Sequence, residues 1–297
     1  MLDAQGTTTL LQLVDWAESE LEAAGLCYGH GTDNARDEAA WLVLAGAGYS
    51  PDDPTVDPDT PVGEPALKAV EALVARRIRE RCPTAYLTGC AWFAGLPVRV
   101  DQRVLVPRSP LAAPIMERFA PWLGDRPVER ILEIGTGSGC IAAACARAFP
   151  EAVVDATDID PAALELAAEN LAALDLDRRV RLWRADLFEG LPYAQYDLIV
   201  SNPPYVDVEG MAQLPAEYRH EPAAGLAAGP EGLDYVLPLL EQAPPWLQPG
   251  GLLVVETGRA GANLQARIPQ LPLIWLECGA GVFAVLAEDL GAAACRL

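Results

Sequence analysis

Histidine is almost absent from this chain. Its two residues of that type, His30 and His220, lie far apart in sequence, so a histidine-rich metal site is excluded. The seven cysteines, at 27, 82, 90, 140, 145, 278 and 295, form no C-x-x-C pair. Their odd number and dispersal argue against a disulfide framework or a zinc cluster, and for small buried hydrophobes in a reducing compartment. No uninterrupted apolar run reaches the roughly 18 residues of a membrane-spanning helix. The opening "MLDAQGTTTL" lacks the basic segment and apolar core of a secretory signal. A cytoplasmic protein with no metal and no membrane partner is expected. Basic residues are scarce, 21 against 42 acidic, for a net charge of −21. Such a chain repels phosphate backbones, so stable nucleic-acid binding is not expected. The charge is compatible with a basic protein partner and equally with plain solubility.

What is present begins with helices. Apolar residues recur at period 3.6 through residues 9–26, where Leu10, Leu13, Val14, Ala17 and Leu21 share one face. Residues 34–48 repeat the pattern, with Asp33 as the expected N-cap. Residues 65–82 turn Leu67, Val70, Leu73, Val74 and Ile78 inward and end in a basic turn, which suits the helix dipole. Between the last two lies a proline- and aspartate-rich loop. In "LPVRVDQRVLVP" (96–107), Val98, Val100, Val104 and Val106 alternate around "DQR", which predicts a β-hairpin. The expected organisation is a helical domain over 1–95, a linking hairpin over 96–108 and a larger domain over 109–297.

From about residue 109 onward short apolar strands alternate with helices: "ERILEI" (129–134), "AVVDAT" (152–157), "RVRLW" (179–183), "YDLIVS" (196–201) and the run "GGLLVVET". That alternation implies an α/β fold with a mostly parallel, doubly wound sheet. The last two apolar segments, 272–278 and 281–288, lie too close together for a crossover helix. They are expected to form an antiparallel C-terminal hairpin.

"ILEIGTGSGCIAAACARAF" (131–149) reads as strand, glycine loop, helix. Gly135, Gly137 and Gly139 permit a tight turn and close approach to a ligand. Cys140 stands where the dinucleotide fingerprint needs glycine or alanine, which counts against NAD or FAD. Asp158 ends the second strand, where an acid can accept both ribose hydroxyls. Asp160 is read as the cap of the helix that starts at Pro161. Asp186 follows the third strand and can accept from an adenine amino group. All three strand ends open into one crevice, so an adenosine-type ligand is expected.

"SNPPYV" (201–206) ends the fourth strand beside the glycine loop. Its prolines fix φ and remove two donors, and Asn202 is held extended. The segment therefore presents acceptors, the Asn202 side-chain oxygen and the Pro203 carbonyl, with the flat face of Tyr205 beside them. Acceptors without a base suit a planar N–H₂ group that must be oriented rather than deprotonated beforehand. A proline-rich turn with no function is the bland alternative.

"EIGTGSGCIA", "TDID", "ADLF" and "SNPPYV" together resemble the HemK/Prm group of S-adenosylmethionine-dependent protein glutamine methyltransferases. The likeness covers nearly the whole chain. It implies a class I, Rossmann-like methyltransferase sheet, a small helical N-terminal domain for substrate recognition and a β-hairpin between them. Of the two main branches, one acts on peptide-chain release factors and carries "PRPETE" after the hairpin. This chain has "VLVPRSPLA" (104–112), with Ser109 and Pro110 in place of proline and glutamate. That segment, with "YGHGTDN" (28–34), "AYLTGCAWFAG" (85–95) and "LPAEYRHEP" (214–222), looks like the branch that acts on the third large-subunit ribosomal protein.

The resemblance implies that Gly135, Thr136, Gly137, Ser138 and Gly139 contact the methionine moiety and ribose of S-adenosylmethionine and that Asp158 holds the ribose. Asp186 and Leu187 line the adenine site. Asn202, Pro203, Pro204 and Tyr205 hold the glutamine, with Asn202 also beside the cofactor. Arg108 lies in the hairpin-end motif, on the substrate side or as a plain surface arginine. His220 lacks a base or nucleophile partner in sequence and is read as part of a substrate-side loop, structural rather than catalytic. Adenine methyltransferases of nucleic acid share "NPPY", but the acidic charge and the lack of a basic recognition region argue against them. A non-catalytic ribosome-assembly factor that keeps the fold is a third reading, and the intact "NPPY" argues against it.

Overall fold

The computed structural model describes residues 8–124, 126–279 and 281–294. Cys295 of the sequence lies outside them. The chain divides into two compact units. One is Met1–Ala91 joined by Pro215–His220, and the other is Trp92–Leu214 with Glu221–Leu297.

The first unit is built on helices α1 (Leu10–Ala23), α2 (Ala35–Gly46), α3 (Glu64–Glu80) and α4 (Thr84–Thr88). A reciprocal capping box starts α1: the Thr9 hydroxyl accepts from the Gln12 amide at 3.4 Å, and the Gln12 side chain accepts from the Thr9 amide at 3.0 Å. Its five expected core residues are all buried. The cap of α2 is Asn34 rather than Asp33. Asn34 is extended and its side chain accepts from the Asp37 amide at 2.9 Å, while the Asp33 carboxylate accepts from the Asn34 amide group at 2.6 Å. Gly46 allows close packing in this unit, since a Cβ there would stand 2.8 Å from the Val70 side chain.

Helix α3 buries Leu67, Val70 and Val74 but leaves Leu73 and Ile78 only half-buried. The basic residue Arg77 takes a core position instead, 1% exposed. Its guanidinium donates to Glu38, to Glu217 at 3.4 Å and to the Cys27 carbonyl at 3.0 Å. Thr84 donates to Glu38 at 2.5 Å, and Arg81 donates to Glu217 at 3.2 Å. Glu217 also accepts from the Cys27 amide at 3.0 Å. Burial raises the Glu217 carboxyl, but the Cys27 amide and the two arginines outweigh it and hold it below its ordinary value. Polar side chains this deep are tolerated because every charge has an opposite partner.

After the helices the chain forms a hairpin, β1 (Cys90–Phe93) and β2 (Leu96–Arg99), where the first unit's long segment ends and the second begins. The expected hairpin over 96–107 is therefore displaced toward the N-terminus. Ala94 and Gly95 both have positive φ, 48° and 75°, as a two-residue turn matched to strand twist requires. Asp101 turns the chain locally instead, accepting from the Arg103 amide at 3.0 Å. The four alternating valines are all buried, but of the four only Val98 lies in a paired strand, β2, so their pattern reported burial more than strand pairing.

A seven-stranded sheet follows: β3 (Arg130–Ile134), β4 (Val153–Asp158), β5 (Val180–Arg184), β6 (Tyr196–Ser201), β7 (Leu247–Glu256), β8 (Ile274–Trp275) and β9 (Val282–Leu286). Its order is β5-β4-β3-β6-β7-β9-β8. The first five strands run parallel, β9 is antiparallel to β7, and β8 is antiparallel to β9. This is the Rossmann-like sheet with the expected antiparallel end. Strands β6 and β7 are buried on both faces, which is why they read as near-continuous apolar runs. Each fully buried leucine or valine there, Leu198 and Val254 among them, contributes about 1.5–3 kcal/mol. Chain order reverses between β3 and β6, and the carboxyl ends of strands at such a switch point frame a crevice.

Candidate active site

The crevice is lined by residues from five consecutive strand ends of the second unit. At the end of β3 the glycine loop is fastened to β4: the amides of Gly135 and Thr136 donate to the Thr157 carbonyl at 2.9 and 2.8 Å. Gly139 has φ +80°, and a Cβ on it would stand 3.2 Å from Ala167 on a neighbouring helix, α5 (Pro161–Ala173). Only glycine combines that backbone with that approach.

Asp158 ends β4 and is the loop's second fastening. One of its oxygens accepts from the Gly137 amide at 2.9 Å and the other from the Asp160 amide at 3.0 Å. Burial pushes its carboxyl up. Each oxygen keeps a further lone pair on the crevice wall. Asp160 caps α5 as expected, accepting from the Ala162 amide at 2.9 Å. Beyond β5, Asp186 and Leu187 form a tight turn in which Asp186 and Glu189 exchange backbone hydrogen bonds of 3.0 and 2.9 Å. Leu187 has φ +51°, a left-handed conformation that costs a leucine about 1 kcal/mol. The turn presents both residues to the crevice.

At the end of β6 the Ser201 hydroxyl donates to the Ile134 carbonyl at 2.8 Å, tying this strand end to the glycine loop's own strand. Asn202, Pro203, Pro204 and Tyr205 then line the crevice. Their far end is secured by Val206, whose amide donates to the Leu226 carbonyl and whose carbonyl accepts from the Ala228 amide, both at 2.8 Å. The Tyr205 ring lies on the backbone at Gly258, where a Cβ would come 2.5 Å from the ring. Its hydroxyl donates to Glu256 at 2.9 Å.

Two acids here were not singled out from sequence. Glu133, buried in β3, accepts from the Thr136 hydroxyl at 2.6 Å through Oε2, while Oε1 has no partner among the described residues. Burial pushes its carboxyl up to about 8. Glu256, the last residue of β7, is buried and likewise raised by burial. The available signal was a single acid inside an otherwise apolar strand, just before a crevice loop.

Arg108 also lines the crevice, but its charge is already engaged. It donates to both oxygens of the buried Glu221, at 2.5 and 2.7 Å, and to the Val106 carbonyl at 3.1 Å. His220 belongs to the helical unit, where its Nε2 donates to the Glu80 carbonyl at 2.9 Å. Among the described residues no group of histidine, cysteine and acidic side chains could hold a metal ion, and no helix is long and apolar enough to cross a membrane.

Residues 118–217 match the methyltransferase small domain family, and residues 12–89 match the PrmC N-terminal domain family. Three curated relatives carry the name ribosomal protein uL3 glutamine methyltransferase. The one from Bordetella pertussis is 48% identical over 92% of this chain and 92% of its own. The one from Xanthomonas campestris is 45% identical over 97% of this chain and 94% of its own, and the one from Xylella fastidiosa 45% over 95% and 91%.

Proposed function

The chain belongs to the family of ribosomal protein uL3 glutamine methyltransferases, and from that premise we propose that it transfers a methyl group from S-adenosylmethionine to the side-chain amide nitrogen of a glutamine in uL3. The observation that carries this reading is the Asn202–Tyr205 segment, held at both ends at the sheet's switch point and offering acceptors but no base. A glutamine amide entering there would donate one hydrogen to the Asn202 side-chain oxygen and the other to the Pro203 carbonyl. Its nitrogen is a poor nucleophile because the lone pair is delocalised into the carbonyl. Holding both hydrogens fixes the angle of attack and stabilises the positive charge that grows on nitrogen. The flat face of Tyr205 confines the amide plane. The reaction belongs in the cytoplasm, and the acidic chain suits a basic ribosomal protein as partner.

The crevice fits the cofactor on its own chemistry. A Cβ at Gly135 or Gly137 would meet no atom within 4 Å, so open space stands in front of the loop. Asp158 would accept from ribose hydroxyls, Asp186 and Leu187 would flank adenine, and the orphaned Glu133 Oε1 would accept from the cationic amino group of the methionine moiety. When bound, S-adenosylmethionine supplies an electrophilic methyl group on a sulfonium.

The Glu133 arrangement has a measurable consequence. With its carboxyl pushed up to about 8, Glu133 is mostly protonated near neutral pH. A facing ammonium group favours the carboxylate and expels the proton. Cofactor binding is therefore expected to release up to about one proton near pH 7. Titration calorimetry in buffers of different ionisation enthalpy reads this as a slope, and Glu133→Gln should abolish it. An equal slope in the variant would contradict the assignment.

The function is tested with labelled cofactor and three acceptors: uL3, a release factor and duplex DNA. Label on uL3 alone is expected. Label on the release factor but not on uL3 would move the chain to the other branch, and label on DNA would favour the adenine reading.

A further inference from the structure

One carboxylate joins three elements of the crevice wall. Glu256, 4% exposed, accepts from the Ser109 hydroxyl at 2.5 Å through Oε2 and from the Tyr205 hydroxyl at 2.9 Å through Oε1. Ser109 has no freedom to turn away, because its oxygen also accepts from the Leu111 amide at 3.2 Å and its proton is thereby directed at Glu256. The tyrosine ring is seated on Gly258, with its hydroxyl directed at the same carboxylate. A carboxylate accepts both bonds together. A neutral acid carries a proton on one oxygen, and the hydroxyl facing that oxygen must then turn from donor to acceptor, which changes the hydrogen-bond geometry.

We infer that Glu256 is a positioning residue for methyl transfer: as a carboxylate it fixes the phenol of Tyr205, and with it the pocket wall that receives the target amide, while Ser109 is the donor that keeps Glu256 ionised. The inference rests on the glutamine-methylation reading above. It gives Ser109 a task that a proline at that position could not perform, because proline has no hydroxyl to donate.

Glu256 titrates among few charged neighbours. Arg108 lies close enough to favour the carboxylate, but it is paired with Glu221; Cys278 is the other titratable neighbour, itself raised by burial and by Glu256. Glu133 and Asp158 also line the crevice, and Ser109 is not among the groups that shift either carboxyl. Burial raises the Glu256 carboxyl, and the Ser109 and Tyr205 hydrogen bonds each lower it. As pH falls, protonation of Glu256 reverses or loosens one of those bonds and releases the fixed phenol, so turnover falls along an acid limb. Removing the Ser109 hydroxyl takes away a lowering influence and moves that limb to higher pH.

The experiment measures kcat and KM for uL3 across pH in the full-length protein, together with cofactor affinity by calorimetry. Glu256→Gln should lower kcat about 10- to 100-fold, leave cofactor affinity unchanged and erase the Glu256 limb. Ser109→Ala should shift the limb to higher pH, and Ser109→Thr, which keeps the hydroxyl, should restore it. The double variant Glu256→Gln with Tyr205→Phe should be no slower than the slower single variant. Coincident limbs for wild type and Ser109→Ala, or an undiminished kcat in Glu256→Gln, would overturn the inference. If Glu256→Gln does not fold, the two Ser109 variants decide alone. Absence of wild-type turnover on uL3 would instead overturn the function proposed above.

Discussion

Asn202→Ala is expected to lower turnover about 10²–10³-fold, the usual cost of one preorganised group aimed at developing charge. Cofactor affinity should be largely kept. The alanine leaves the Pro203 carbonyl to hold one amide hydrogen alone, and the amide can then rotate away from the line of attack. Most of the crevice surface assigned to the cofactor comes from the ends of β3, β4 and β5 and does not depend on Asn202. The effect should therefore fall on kcat with uL3 as substrate, with calorimetric binding of the cofactor little altered. Undiminished turnover would mean that the segment after β6 does not orient the acceptor. Lost binding with normal turnover at saturating cofactor would place Asn202 on the cofactor side alone.

Arg77→Met should destabilise the helical unit by about 3–5 kcal/mol, because it takes the arginine partner from buried Glu38 and leaves buried Glu217 to Arg81 and the Cys27 amide. Glu38 and Glu217 are 3% and 1% exposed, and Arg77 is the residue that both of them share. The loss should appear as an earlier denaturant midpoint for this unit, followed by a fluorophore in the helical unit because two units can unfold separately. Neutralising both acids in the same background, with Glu38→Gln and Glu217→Gln, should recover part of it. The pH dependence has a definite sign. Glu217 is held below its ordinary carboxyl value, so its contribution is complete above the unfolded carboxyl range and disappears as pH falls through the native one. An unchanged midpoint in Arg77→Met would show that the cluster contributes nothing net.

Much of the crevice was legible because its parts are local. A glycine loop announces itself by residues whose backbone no other side chain allows, and paired prolines announce an end to a strand. The antiparallel end of the sheet followed from chain length alone, since no crossover fits between 274–275 and 282–286. What escaped notice depends on partners far away in sequence. Arg77 looked like part of a solvated basic turn, and nothing near it discloses that Glu217, 140 positions on, will lie against it. Glu133 and Glu256 are each a lone acid in an apolar strand, and only the fold brings both to the crevice. The hairpin was misplaced because alternation measures burial, whereas Ala94 and Gly95 supply the turn that decides pairing. The cap of α2 went to Asn34 over Asp33 for a reason of similar scale, one residue of backbone geometry.

The central claim is that the acceptor atom is an amide nitrogen of glutamine. The most direct measurement is the chemistry of the product: uL3 methylated by this protein with isotope-labelled cofactor, then hydrolysed in acid. Hydrolysis of an N-methylated side-chain amide breaks the amide bond and frees its nitrogen with the methyl attached. The account predicts that the label leaves as methylamine and that, before hydrolysis, fragment masses place it on a glutamine. Label retained on lysine or arginine after hydrolysis, or released as methanol from a carboxyl ester, would contradict it.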